Sequence, residues 1–229
     1  MAMNNKRFAV AVDGPSGAGK STLAKAVAAK LDILYVDTGA IYRTIGCYVK
    51  EKGVDPRDNE AVIALLPEIH VEMRYARDGL QHMFLNGRDV TDEIRQNEIS
   101  RYASDVSAIP EVRTHLLEMQ RQFAREASVI MDGRDIGTVV LPDAEVKVFL
   151  TAPLEERARR RFLELEQRGT PKAYADVLSE MEQRDYNDSH RAAAPLRQAE
   201  DAVLLDTGDL NFEESLDALI SIIRKKVEA

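Results

Sequence analysis

The sequence contains a single cysteine, Cys47, so no internal disulfide can form, and that count suits a reducing compartment. No apolar run is long enough to span a bilayer, and the opening stretch MAMNNKRFAVAVDG is too short in apolar length for a secretory signal. A soluble, cytoplasmic protein is the expectation. Positive charge is in deficit: 31 Lys and Arg stand against 39 Asp and Glu, a formal net charge of −8. That balance argues against nucleic acid as a partner, because binding there needs basic surface to replace counterions. Histidine is sparse, and His70, His82, His115 and His190 show no metal-ligand spacing. Cys47 lies beside apolar residues on a helical stretch, which suits a core thiol better than a nucleophile. Internal repeats and low-complexity tracts are also missing.

What remains is a chain of 229 residues, 45% of them hydrophobic, enough for a sizeable core. Short apolar runs at 8–13, 33–37, 128–133, 144–152 and 202–206 read as strands buried on both faces, as in a parallel sheet. Helical spacing separates them, with Leu23, Val27 and Leu31 on one stripe and Ile41, Ile45 and Tyr48 on another. The texture changes near residue 69. Ile69, Val71, Met73 and Tyr75 alternate with polar residues, and turn signals at RDG (77–79) and at Asn86-Gly87 predict a small antiparallel meander. Thr91 is expected to cap a helical region that runs to about residue 126 with a break at Pro110. Two charged helices joined by GTP (169–171) follow, with Pro153 in the first turn of the earlier one. Strands alternating with helices give an α/β fold.

The segment DGPSGAGKST carries the chemistry. Gly14, Gly19, Lys20 and Ser21 satisfy G-x-x-x-x-G-K-[ST], after a buried strand and at the start of a helix. Glycines let successive backbone N–H groups turn inward, and the helix presents its N-terminus to an anion. Lys20 can reach the β- and γ-phosphates of a nucleotide, and the Ser21 hydroxyl can bind Mg²⁺. Lys20 is expected on an exposed loop. A guanine-reading N-K-x-D segment is absent: the Asn5-Lys6 pair is followed by Arg7-Phe8. A GTPase switch is therefore disfavoured, while an ATP-binding switch or another small-molecule kinase (for AMP, UMP, shikimate or a sugar acid) stays open.

Arginines mark where a second anion can dock. Arg43 lies one turn into the helix after VDTGA, and Arg134 directly follows SVIMDG. Both positions are strand ends, where open α/β sheets bind ligands, and the guanidinium fork fits phosphate oxygens two at a time. Arg157, Arg159, Arg160 and Arg161 crowd one helix. Asp132 ends a strand where it can orient Mg²⁺ water. Asp135 either accepts a hydrogen bond from a substrate or merely pairs with Arg134. A phosphate acceptor is already anionic at neutral pH, so positioning and charge neutralisation can replace a general base.

The segments VDGPSGAGKST, VDTGAIYR, MDGRDIGTVV and RDYNDSHR together resemble the bacterial cytidylate kinases, a branch of the nucleoside monophosphate kinases. The resemblance covers nearly the whole chain, in order. It implies a P-loop three-layer α/β/α core with a five-stranded parallel sheet (about 1–37, 105–156 and 192–229). It also implies an acceptor-binding insertion with the small meander (about 38–104) and a helical lid (about 157–191). The ATP-binding set would be Gly14, Pro15, Ser16, Gly17, Ala18, Gly19, Lys20, Ser21 and Thr22. Arg43 and Arg134 match arginines that hold the acceptor's α-phosphate. Thr38, Arg113, Asp135 and Arg191 match positions around the cytosine and its phosphate, and Ser104, Arg184 and Asp188 positions near the pentose. Lys20, Asp132, Arg157 and Arg161 would serve the transferring group. The implied reaction moves a phosphoryl group from MgATP to CMP or dCMP, in a monomer with no nucleic-acid or membrane partner.

Overall fold

A computed structural model describes residues 7–76 and 81–228. The chain folds as two compact units, Met1–Tyr35 with Ala124–Ala229 and Val36–Phe123.

The first unit is built on a five-stranded parallel sheet. Its strands are β1 (Ala9–Asp13), β2 (Leu34–Asp37, which runs into the second unit), β6 (Val129–Gly133), β7 (Val146–Thr151) and β8 (Val203–Asp206). Across the sheet they lie in the order β2-β6-β1-β7-β8. Every residue of β1 and β6 is buried, their apolar runs and also the Asp13 and Asp132 that lie near the strand ends. One face of the sheet is closed by α1 (Lys20–Leu31) and α8 (Phe212–Val227). Val10, Val12, Val148 and Leu150 pack there with Leu23 and Val27 of α1 and with Leu219 and Ile223 of α8. Leu31 is only partly buried at the end of that stripe. Helix α8 opens with a full capping box, Asn211 and Glu214 each bonding the other's backbone N–H. The charged pair α6 (Leu154–Gln167) and α7 (Tyr174–His190) holds a small core of its own, Ala158, Leu165, Val177 and Met181. Pro153 is the residue before α6, not within its first turn.

The second unit holds α2 (Thr38–Glu51), α3 (Asn59–Leu65), the antiparallel strands β3 (Val71–Tyr75), β4 (Gln81–Leu85) and β5 (Arg88–Asp89), α4 (Asn97–Val106) and α5 (Pro110–Glu126). The meander is the one expected, paired Val71↔Leu85 and Phe84↔Asp89. Asn86 and Gly87 both take positive φ, 50° and 82°, which is the two-residue turn that Asn-Gly favours. The RDG signal lies outside the described residues. Two expectations change. Helix α3 is an element that the sequence pattern does not predict. Thr91 does not cap a helix: its hydroxyl accepts from the Met83 N–H at 2.9 Å, tying it to β4, and the chain makes a short 3-10 turn at Glu93–Arg95 before α4 starts. Among the described residues no helix is long and apolar enough to cross a membrane.

Helices α2 and α4 meet at Gly46, where a Cβ would lie 2.9 Å from the Ala103 backbone nitrogen and 3.0 Å from Tyr102 Cβ. Gly46→Val should therefore destabilise the chain by about 1–3 kcal/mol through overpacking. Gly46→Ala should cost less, since alanine's helix propensity returns up to ~1 kcal/mol. Urea unfolding of the three proteins checks the order.

Candidate active site

The loop after β1 has the backbone that its glycines permit. Gly14, Gly17 and Gly19 take φ of 147°, 76° and 92°. At Gly14 a Cβ would lie 1.9 Å from the Leu150 carbonyl oxygen, so no other residue fits. Gly19 leads directly into α1, whose first residue is Lys20. Pro15, Ser16 and Ala18 complete the loop, and Ser21 and Thr22 follow on the first helical turn.

Lys20 departs from expectation. It is 5% exposed, and its Nζ donates to the Pro15 carbonyl at 2.7 Å. The loop curls around the ammonium and does not extend it to solvent. Burial, followed by the nearby Arg134 charge, pushes the Lys20 pKa down to about 7, with Asp132 and Asp188 opposing and Arg184 adding to the fall. Replacing Lys20 therefore touches a packed site. Next to it, Ser21 Oγ donates to Asp132 at 2.8 Å, and the other Asp132 oxygen accepts from the Tyr35 hydroxyl at 2.8 Å. Sequence reasoning misses Tyr35; its only signal is a polar-tipped residue inside the apolar run ILYVD.

The arginines are held by named partners. Arg134, immediately after β6, donates through Nε to Asp188 of α7 at 2.7 Å. Burial opposes its charge, but Asp188, Asp132 and Asp185 together outweigh it and raise the Arg134 pKa, while Asp188 itself is held below the usual carboxylate range, burial opposing and Arg134 and Arg184 leading the groups that prevail. Asp135 lies beside Arg191, 3.6 Å away, and is 3% exposed. Arg191 also donates to the Ala194 carbonyl, at 2.8 Å. Arg157 is buried and donates to the Ala152 and Ser16 carbonyls at 2.8 and 3.0 Å, with Asp185 at 2.7 Å. It braces the phosphate loop from α6. Arg161 reaches Glu164 along its own helix at 2.7 Å.

The second unit carries the remaining candidates. Asp37 caps α2 through the Ala40 N–H and holds Arg43 at 2.9 Å. Thr38 is buried at the start of the same helix. Arg113 donates to the Ser107 carbonyl at 3.0 Å, its guanidinium 5.3 Å from the centre of the Tyr42 ring. The Ser107 hydroxyl bonds the Ser104 carbonyl at 2.9 Å. Cys47 is buried, and burial, then Glu93 and Glu51, pushes its thiol up to about 12, as a core thiol requires. Arg88 binds both of those carboxylates.

Asp13, the last residue of β1, is the least anticipated member of the site. Burial pushes its carboxyl from the ordinary 3.8 to about 6, although the Gly137 and Ile136 N–H groups oppose the rise. Above the unfolded value the folded chain still holds this proton. The stabilisation is therefore present below pH about 4 and lost as pH rises through about 6, on the order of 3 kcal/mol. Urea unfolding of wild type and Asp13→Asn at both ends of that window should show wild type losing stability relative to Asp13→Asn as pH rises. A gap independent of pH would contradict the burial of an ionisable carboxyl.

The sequence matches the family model described as cytidylate kinase over residues 10–225. It is 48% identical to the cytidylate kinase of Caldicellulosiruptor bescii, covering 97% of this chain and 98% of that one. It is 47% identical to the cytidylate kinase of Caldicellulosiruptor saccharolyticus over 97% and 98%. With the cytidylate kinase of Desulfitobacterium hafniense the identity is 46%, over 97% and 95%.

Proposed function

The chain belongs to the cytidylate kinase family, and we propose that it moves the γ-phosphoryl group of ATP onto CMP or dCMP, giving ADP and CDP or dCDP. The observation that carries this reading is the buried ammonium of Lys20 inside the phosphate loop, set among Asp132, Arg134, Arg184 and Asp188. Such an arrangement holds a cation ready for charge that develops on a transferring phosphoryl group. The Ser21 hydroxyl and Asp132 carboxylate, 2.8 Å apart, form an oxygen donor pair of the kind that suits Mg²⁺ or its water shell. When bound, that ion neutralises phosphate charge.

The acceptor roles follow the residue types. Arg43 and Arg134 are proposed for the α-phosphate, Thr38, Arg113, Asp135 and Arg191 for the cytosine and its phosphate, and Ser104, Arg184 and Asp188 for the pentose. Arg161 is proposed to meet the transferring group, and Arg157 to act on it through the loop that it braces. The stretch 38–104 is proposed as the acceptor-binding insertion and 157–191 as a lid that excludes water. The working form is a cytoplasmic monomer acting on free nucleotides, with neither nucleic acid nor membrane as partner.

Cytosine presents an N4 donor where uracil presents O4, so a buried carboxylate at Asp135 distinguishes the two. ADP release with CMP, dCMP, UMP, AMP and shikimate as acceptors tests the reaction. CMP and dCMP should be turned over and the others poorly; no stimulation by any monophosphate would overturn it. Asp135→Ala should lower kcat/KM for CMP roughly ten- to a hundredfold, the loss of one hydrogen bond to a charged acceptor. UMP turnover should fall much less. An unchanged CMP-to-UMP ratio would mean the base is read elsewhere.

A further inference from the structure

Asp13 sits at the junction of two pieces of the site. It ends β1, the central strand, with Gly133 opposite it on β6 and Phe149 on β7. The next residue is Gly14, which begins the phosphate loop. Val10 and Val12 of β1, with Phe8 just before it, face the core under α1 and α8. By the alternation of a strand, Asp13 points to the other face with Ala9 and Ala11.

There its two oxygens take separate donors, the N–H groups of Ile136 at 2.7 Å and of Gly137 at 2.8 Å. These are the first two amides of a wide turn, Ile136–Val140, that immediately follows Arg134-Asp135. Its later amides bond internally: Val139 and Val140 donate to the Asp135 carbonyl and Leu141 to that of Ile136. One leading amide of a helix, at its second or third position, is ordinarily satisfied by the side chain just before it. Asp135 occupies that place, yet its side chain makes no capping bond and lies instead beside Arg191. The cap arrives from a residue 123 positions away in sequence. Gly137 is packed against this contact: a Cβ there would press on Lys147 Cδ at 3.2 Å and lie in ordinary contact with Asp13 Oδ2 at 3.4 Å.

We infer that Asp13 is a positioning residue for the acceptor: it caps the Ile136–Val140 turn from the foot of the phosphate loop, and so leaves the Asp135 carboxylate to substrate recognition while fixing Arg134 and Asp135 relative to that loop. The inference rests on the proposed acceptor role of Arg134 and Asp135. Asp13 itself touches no reacting atom. Its effect is expected on the acceptor and not on ATP, because the bonds that it makes lie on the acceptor-reading segment.

Asp13→Asn keeps the shape and one acceptor oxygen but replaces the other with a donor that cannot serve an N–H. Three readouts separate the possibilities. Amide exchange at Ile136 and Gly137 should quicken about tenfold or more. KM for CMP should rise, or kcat/KM fall, about tenfold, with the CMP-over-UMP preference narrowed. ATP affinity should stay close to wild type. Asp13→Ser, which keeps a single acceptor oxygen on a shorter side chain, should shift the same readouts in the same direction, and serves if Asp13→Asn does not fold. Unchanged exchange at both amides would overturn the cap. Faster exchange with unaltered CMP kinetics and selectivity, or with ATP affinity lost in equal measure, would reduce Asp13 to a strut and overturn the positioning role. Failure of the kinase reading itself would show earlier and separately, as wild-type protein with no CMP-stimulated ADP release.

Discussion

A cation held out of water is the constraint on which the first unit is arranged. The Lys20 ammonium is enclosed by the loop that precedes it, donating to the Pro15 carbonyl and with two arginines among the charges around it. Left in that state, a lysine gives up part of its charge near neutral pH. On the proposed reading a polyphosphate restores it, and the amides at the start of α1 receive the anion. The glycines that make the enclosure possible are fixed by sterics: Gly14 passes against the Leu150 carbonyl too closely for any side chain.

Around that loop several charged side chains take partners far along the chain. Arg134 reaches across to Asp188 on α7, and Asp135 lies by Arg191 just past the end of α7. Arg157 directs its donors to backbone carbonyls of the loop region and to Asp185. A site that must accept and release an anion needs cations that are anchored yet not fully neutralised. Long-range partners meet that need better than neighbours in sequence, whose geometry is bound to the local backbone.

Much of this was legible in the sequence, and the reason differs from part to part. The buried strands announce themselves because a parallel strand is apolar on both faces, so FAVAVD and SVIMDG need no context. The phosphate loop is legible because its glycines answer to backbone geometry, and the Asn86-Gly87 turn for the same reason. Arg134 and Asp132 could be placed because strand ends are where ligands bind in such sheets. What could not be read depends on partners far along the chain. Thr91 has the chemistry of a cap, yet β4 claims its hydroxyl. Lys20 reads as a loop residue, while its burial comes from the way that the loop closes over it. Tyr35 inside β2 and Asp13 at the end of β1 look like incidental polar groups until Asp132 and the Ile136–Val140 turn are brought to them. The short helix α3 has too few turns to impose a clear period.

The charge state of Lys20 offers the most direct test of the account. Calorimetric binding of ATP to the wild-type protein, in two buffers of different ionisation heat, reports protons exchanged on binding. Burial lowers the Lys20 pKa to about 7, so near pH 8 the lysine carries less than its full charge before ATP binds. Proton uptake is expected there, and less of it near pH 6, where more of the lysine is already charged. Binding at pH 8 with no proton uptake would contradict the central claim that the phosphate loop encloses a cation whose charge the nucleotide restores.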